Sequence, residues 1–219
     1  MTVLTATAWP TNADMILAVR ELGYINDDDF ILDTTYGDGK WWTKWMPKGL
    51  QASDLHKGGA GIWSDDIYVN VWDFTDLPAI SECYDVVCFD PPYVAVGGRK
   101  TSTTQGMTNA YGMATTAKDP AGQQEIINAG LAECVRVTKH RGIILVKCQN
   151  YVSSGKHWPG VYETLKCAET LGCRVEDQLV HTRPSAGPQP TMNRDGTPRK
   201  QKHSRSNTTT LLVLRKWER

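Results

Sequence analysis

An acid, two prolines and a tyrosine stand in succession at Asp90, Pro91, Pro92 and Tyr93, directly after the apolar run Val86-Val87-Cys88-Phe89. Neither proline can donate a backbone hydrogen bond and both hold the chain extended, so a strand through 86–89 must stop there. Its carboxyl end then presents the Asp90 carboxylate, the Pro91 carbonyl and the Tyr93 ring: two hydrogen-bond acceptors beside a stacking face. In an open α/β sheet that end is where ligands bind. A rigid turn that only caps the strand is the alternative. Upstream, the apolar Phe30-Ile31-Leu32 runs into Asp33-Thr34-Thr35-Tyr36-Gly37-Asp38-Gly39, a buried strand entering a tight turn. Glycine there allows a backbone to approach a ligand closely, and the Asp33 carboxylate can pair with an ammonium. A Gly-x-Gly after a strand is equally the form of a simple βα turn.

The elements that must position these groups follow from hydrophobic spacing. Asn12 or Asp14 can cap a helix whose apolar face runs through Met15, Ile16, Leu17, Val19 and Leu22, with Gly23 as the stop. Further strands are expected over 50–52, 67–71, 143–147, 175–182 and 208–215, and helices over 123–137 and 161–171. Strands alternating with helices argue for a parallel α/β sheet. The last two strands have no helix between them, so they are expected to pair antiparallel. The predicted architecture is a mostly parallel sheet with one antiparallel strand and helices on both faces. Trp41 and Trp45 are spaced to share one helical face, which with Trp42 reads as core packing.

A chain of 219 residues, 40% hydrophobic and 22% charged, has room for one globular domain, taken as 1–219. Two connections are unusually long: a Gly-, Thr- and Ala-rich segment at 94–122 and a basic loop at 183–207. Such connections in compact domains are mostly functional or disordered, so both are candidate site elements. The 24 basic and 24 acidic residues cancel, excluding a general attraction to polyanions. Locally, however, Arg183, Arg194, Arg199, Lys200, Lys202 and Arg205 face the single acid Asp195. The six cysteines form no Cys-x-x-Cys pair and the five histidines show no ligand spacing, so neither a disulfide scaffold nor a metal is expected. No apolar stretch suits a membrane span and the N-terminus lacks the pattern of a signal peptide, so a cytoplasmic location is expected.

The run Phe89-Asp90-Pro91-Pro92-Tyr93 resembles the motif of the S-adenosylmethionine-dependent amino-methyltransferases, Asp/Asn/Ser-Pro-Pro-Tyr/Phe/Trp, and its first and last residues are most similar to the DNA adenine-N6 branch. Leu32-Asp33-Thr34-Thr35-Tyr36-Gly37-Asp38-Gly39 looks like that family's cofactor turn, with Thr34 where proline is usual. The resemblance implies a class I, Rossmann-like methyltransferase fold and S-adenosylmethionine as cofactor. It places Asp33, Thr35, Tyr36, Gly37 and Gly39 at the cofactor, Asp54 on its ribose, and Asp73 with Phe74 at its adenine ring. Leu131 to Val146 looks like the family's scaffold after the catalytic strand. The order of motifs resembles the subgroup with a late target-recognition element, including enzymes of restriction-modification systems.

What this implies for chemistry is direct methyl transfer to an exocyclic amine, with Asp90 and the Pro91 carbonyl accepting its two hydrogens, Pro92 holding the chain and Tyr93 stacking on the base. The partner would be double-stranded DNA with its target base flipped out. The 94–122 loop is then the expected lid, with Arg99, Lys100 and Tyr111 as contacts, and the 183–207 basic loop the expected phosphate reader. Cytosine N4, a ribosomal-RNA base or a protein amide are other targets of related motifs. A nucleic-acid-binding module without catalysis is the reading from a different class, and the intact Asp90 to Tyr93 run disfavours it.

Overall fold

The computed structural model describes residues 4–55, 67–95, 117–182, 192–193, 195–198, 200, 202–204 and 208–217. Its strands are β1 (Thr7–Trp9), β2 (Phe30–Asp33), β3 (Gly49–Ser53), β4 (Val69–Asn70), β5 (Tyr84–Phe89), β6 (Thr138–Cys148), β7 (Tyr151–Ser153), β8 (Lys156–Trp158), β9 (Cys173–Thr182) and β10 (Thr208–Lys216). The helices are α1 (Asn12–Glu21), α2 (Pro120–Val137) and α3 (Gly160–Thr170). Eight strands form one sheet in the order β1-β9-β10-β6-β5-β2-β3-β4, while β7 and β8 make a separate hairpin. Every described pairing in the large sheet is parallel except those of β10 with β6 and β9, as expected from the absence of a helical sequence pattern between β9 and β10.

Central strands buried on both faces read as near-continuous apolar runs, as Val86 to Phe89 of β5 and Ile143 to Val146 of β6 do. Ile31, Val86, Cys88, Ile143, Leu145, Leu211 and Val213 pack with α1, Trp41 and Trp42. Their sequence neighbours Leu32, Val87, Phe89, Ile144, Val146, Leu212 and Leu214 form the opposite core, against Ile127, Leu131 and Cys134 of α2 and Ala168 of α3. This alternation is the period of two expected of a pleated strand. All six cysteines are free. Among the described residues no helix is long and apolar enough to cross a membrane.

Several sequence expectations need correction. Thr11, rather than Asn12 or Asp14, caps α1, its side chain accepting from the Asp14 N–H. Helix α2 begins at Pro120, three residues inside the expected 94–122 loop: Asp119 accepts from the Gly122 N–H, and proline at the first helical position lacks only a donor that would be unpaired there. Strand β6 starts at Thr138, because pairing with β5 jumps from Tyr84↔Thr138 to Val86↔Ile143 and the intervening residues bulge around Arg141, whose φ is 62°. Residues 40–44 make turns and bends, not a helix, so Trp41 and Trp45 share no helical face. Strand β1 and the β7–β8 hairpin were not foreseen.

The chain leaves β2 for β3 on one side and returns to β5 on the other, so the sheet order reverses at the carboxyl ends of β2 and β5. There the flanking connections diverge and leave a crevice. Across the second core, Gly130 of α2 sits against two rings: a Cβ there would lie 2.6 Å from both Phe74 Cδ2 and Phe89 Cζ. Helix propensity favours alanine over glycine by about 1 kcal/mol, whereas overpacking two buried rings costs roughly 1–3 kcal/mol. Gly130→Ala is therefore expected to lower unfolding free energy in urea; a gain in stability would mean that the rings move freely.

Candidate active site

The turn after β2 is built from its own backbone donors. Asp33 Oδ1 accepts from the Thr35 N–H at 3.0 Å, the Tyr36 N–H bonds the Ser53 carbonyl, and Asp54 Oδ2 accepts from the Gly37 N–H at 3.0 Å. Gly37 and Gly39 have φ of 55° and 64°, the left-handed region that glycine adopts without penalty. At Gly39 a Cβ would lie 2.7 Å from the Tyr36 hydroxyl, so the ring of buried Tyr36 fills the inner side of the bend. At Gly37, among the described residues and leaving out its chain neighbours, the nearest atom to such a Cβ is the Thr35 carbonyl oxygen, 3.8 Å away. The outer side of the turn is thus open to a ligand at closest backbone approach.

The turn and the tip of β5 are joined directly. Thr34 donates from both its N–H and its hydroxyl to the Cys88 carbonyl, and the Asp90 N–H donates to Thr35 Oγ1 at 2.7 Å. The Asp90 carboxylate itself is asymmetric. Its Oδ2 accepts from Trp41 Nε1 at 3.2 Å and from Lys147 Nζ at 3.1 Å, while its buried Oδ1 has no partner. A buried carboxylate oxygen left without a donor costs about 1–3 kcal/mol, a penalty that a ligand N–H would relieve. Pro91 and Pro92 are buried, and the Pro92 carbonyl is held by Gln123 Nε2 from α2 at 2.6 Å. Tyr93 is half-buried against the core beside α2.

Asp33 is 4% exposed, and burial pushes its carboxyl from 3.8 up to about 7. The donors Trp42 Nε1, at 2.7 Å from Oδ2, and Thr35 N–H oppose that shift; repulsion from Asp90 and Asp54 adds to it. Three carboxylates therefore share one field at the ends of β2, β3 and β5, and a cationic ligand would relieve their repulsion.

The structure thus brings together Asp33, Thr35, Tyr36, Gly37, Gly39, Asp54 and Asp90 to Tyr93 at one edge of the sheet. Asp73 follows β4 and shapes its own turn, Oδ1 accepting from the Thr75 N–H and hydroxyl. Phe74 is buried in the second core, edge-on to Phe89 with ring centroids 5.2 Å apart. Arg99, Lys100 and Tyr111 lie outside the described residues, as do Arg183, Arg194, Arg199 and Arg205. Lys200 and Lys202 are exposed beyond a small turn in which Asp195 Oδ1 accepts from Thr197 and the Asn193 N–H bonds the Thr197 carbonyl. Sequence reading overlooked Lys147, Gln123 and the two indole donors. Lys147 had one visible sign, a lone charge in the apolar run Ile143 to Val146.

No family model and no curated protein matches the chain. Among solved structures it is similar to an S-adenosylmethionine-dependent methyltransferase of Methanosarcina mazei, with a TM-score of 0.52 at 10% identity over 90% of this chain and 97% of that one. The N-methyltransferase NodS of Bradyrhizobium japonicum, in complex with S-adenosyl-L-homocysteine, aligns at 0.52 and 11% identity over 94% of this chain and 86% of its own. The 1,6-didemethyltoxoflavin-N1-methyltransferase of Burkholderia thailandensis aligns at 0.52 and 12% identity, over 94% and 77%. The chain has the class I methyltransferase fold, with the expected mostly parallel sheet.

Between pH 3.8 and about 7 the folded chain keeps a proton on Asp33 that the unfolded chain has released, so stability from this group is present at acid pH and is lost as pH rises to about 7. Asp33→Asn removes the titration. Urea denaturation at about pH 5 and about pH 8 should show the wild type losing more stability across the interval than the variant. Parallel profiles would assign Asp33 an ordinary carboxyl.

Proposed function

We propose that the chain is an S-adenosylmethionine-dependent methyltransferase acting on the exocyclic N6 of adenine in DNA. The observation that carries this reading is the buried, unpaired Oδ1 of Asp90, at the end of β5 and one hydrogen bond from the glycine turn after β2. An acceptor without a donor, beside the crevice where the sheet order reverses, suits a ligand that brings an N–H. The fold supports the reading only at the level of scaffold, since one fold hosts many reactions.

The residues present fit the cofactor. Gly37 leaves the outer side of the turn open, Asp33 and Asp54 supply negative field, and Asp54 and Asp73 stand at the ends of the next two strands for ribose and adenine. When bound, S-adenosylmethionine supplies an electrophilic methyl group on a sulfonium. Asp90 Oδ1 and the Pro91 carbonyl then accept the two hydrogens of the target amine, drawing its lone pair out of conjugation and toward the methyl. Tyr93 stacks on the base and offsets part of the few kcal/mol spent on flipping it. With the amine held by Asp90 and the Pro91 carbonyl, its nitrogen would take the methyl carbon from the cofactor, which leaves as the neutral thioether, and the surplus nitrogen proton would pass to solvent water. Asp90 acts as an acceptor and charge stabiliser; a strong base is unnecessary because the proton turns acidic once nitrogen is methylated. Phosphate contacts come from the basic segment 183–207, of which Lys200 and Lys202 are exposed, with Arg99, Lys100 and Tyr111 of the 94–122 segment as further contacts.

Transfer of labelled methyl to DNA, RNA and protein, followed by sequencing of modified bases in DNA from expressing cells, tests the reading. Label in N6-methyladenine supports it, and label confined to RNA, protein or cytosine overturns the substrate assignment. Asp90→Ala is expected to reduce turnover below about 1% while cofactor affinity stays within about threefold. Asp33→Ala should instead weaken cofactor binding first, by about tenfold or more, as measured by titration calorimetry; unchanged affinity would place the cofactor elsewhere.

A further inference from the structure

The ammonium of Lys147 lies where few lysines do. It belongs to β6, is 4% exposed, and sits in register opposite Leu211 of β10, with Val146 and Leu145 before it. Burying such a cation costs several kcal/mol unless a partner of opposite charge is placed for it, and Asp90 is that partner, Nζ to Oδ2 at 3.1 Å. The Trp41 indole N–H approaches the same oxygen. Both donors converge on Oδ2, and Oδ1 is left buried with none.

We infer that Lys147 is a positioning residue of the transfer reaction: with Trp41 it saturates one oxygen of Asp90, fixes the carboxylate rotamer, and leaves Oδ1 as the one carboxylate oxygen presented to the substrate amine. This deepens the methyltransferase reading and rests on it. A carboxylate that rotates freely offers either oxygen in many directions. One clamped through Oδ2 keeps Oδ1 in place before the amine arrives, so no reorganisation is needed as charge develops on nitrogen. Trp41 alone would be a weaker clamp, because its neutral N–H donates to Oδ2 without the opposite charge that the Lys147 ammonium brings to the same oxygen. The pair is also self-neutralising. Asp90 is held against its own cation, which suits an acceptor of hydrogen bonds rather than a remover of protons.

The test is a double-mutant cycle of Lys147→Met, Asp90→Asn and the two combined, read by single-turnover transfer of labelled methyl to DNA. Asp90→Asn keeps one acceptor oxygen, so its residual rate is measurable. Lys147→Met is expected to lower kcat by about 100-fold, the scale of losing one oriented electrostatic partner of a reacting group. KM for DNA and affinity for S-adenosyl-L-homocysteine should stay within about threefold, and the double variant should be no slower than Asp90→Asn alone. A structural role would weaken cofactor binding in step with rate and multiply the two losses. If Lys147→Met alone fails to fold, the charge-balanced double variant still decides: a rate equal to that of Asp90→Asn supports the inference, and a further loss overturns it. Wild-type kcat in Lys147→Met overturns it as well. Absence of transfer by the wild-type chain would overturn the methyltransferase reading and this inference together, an outcome distinct from a methyltransferase indifferent to Lys147.

Discussion

The site depends on how one carboxylate is held. Asp90 is tied by its N–H to Thr35 and by Oδ2 to Trp41 and Lys147, so four segments of chain meet at a single residue: the turn after β2, the bend at Trp41, the tip of β5 and the end of β6. A buried carboxylate requires such partners, since desolvation otherwise costs more than the fold can bear. The consequence of meeting that requirement on one oxygen only is an acceptor waiting on the other. Structural necessity and chemical competence are here the same arrangement.

The glycine turn follows a similar logic with the opposite sign. Its N–H groups at Thr35, Tyr36 and Gly37 are spent on Asp33, Ser53 and Asp54, so the loop holds its shape without a ligand. What it offers outward is open backbone at Gly37 and the field of acids that repel one another. Burial raises the Asp33 carboxyl to about 7 against the opposing hydrogen bond from Trp42, so its charge develops only as pH approaches that value. A loop that holds its shape without a ligand and gathers acids at its rim favours a cation over an anion.

Much of this was legible in sequence because it is written locally. The short apolar runs Phe30 to Leu32 and Val86 to Phe89 marked β2 and β5, and consecutive prolines marked where β5 ends. The lack of a helical sequence pattern before β10 pointed to its antiparallel pairing. Asp119-Pro120 was an equally local signal, an N-cap followed by proline, and reads as the start of α2 in hindsight. Strand β1 and the β7–β8 hairpin span three residues per strand, too short for any period to register. They exist because a neighbouring edge or partner satisfies their backbone, a matter of tertiary context.

Residue order alone determined the fold class, the edge of the sheet where ligands would meet it, and the acid that terminates β5, since each follows from strand periodicity and from what proline and glycine permit in the backbone. Which oxygen of that acid is free, and which lysine and indoles hold the other, was decided only in three dimensions. Lys147 and Asp90 are 57 residues apart and Trp41 is 49 from Asp90. Nothing in local pattern encodes a pairing at that separation; it arises when the sheet order brings β6 beside β5 and the loop after β2 folds over both, and burial then forces each charge to find the other.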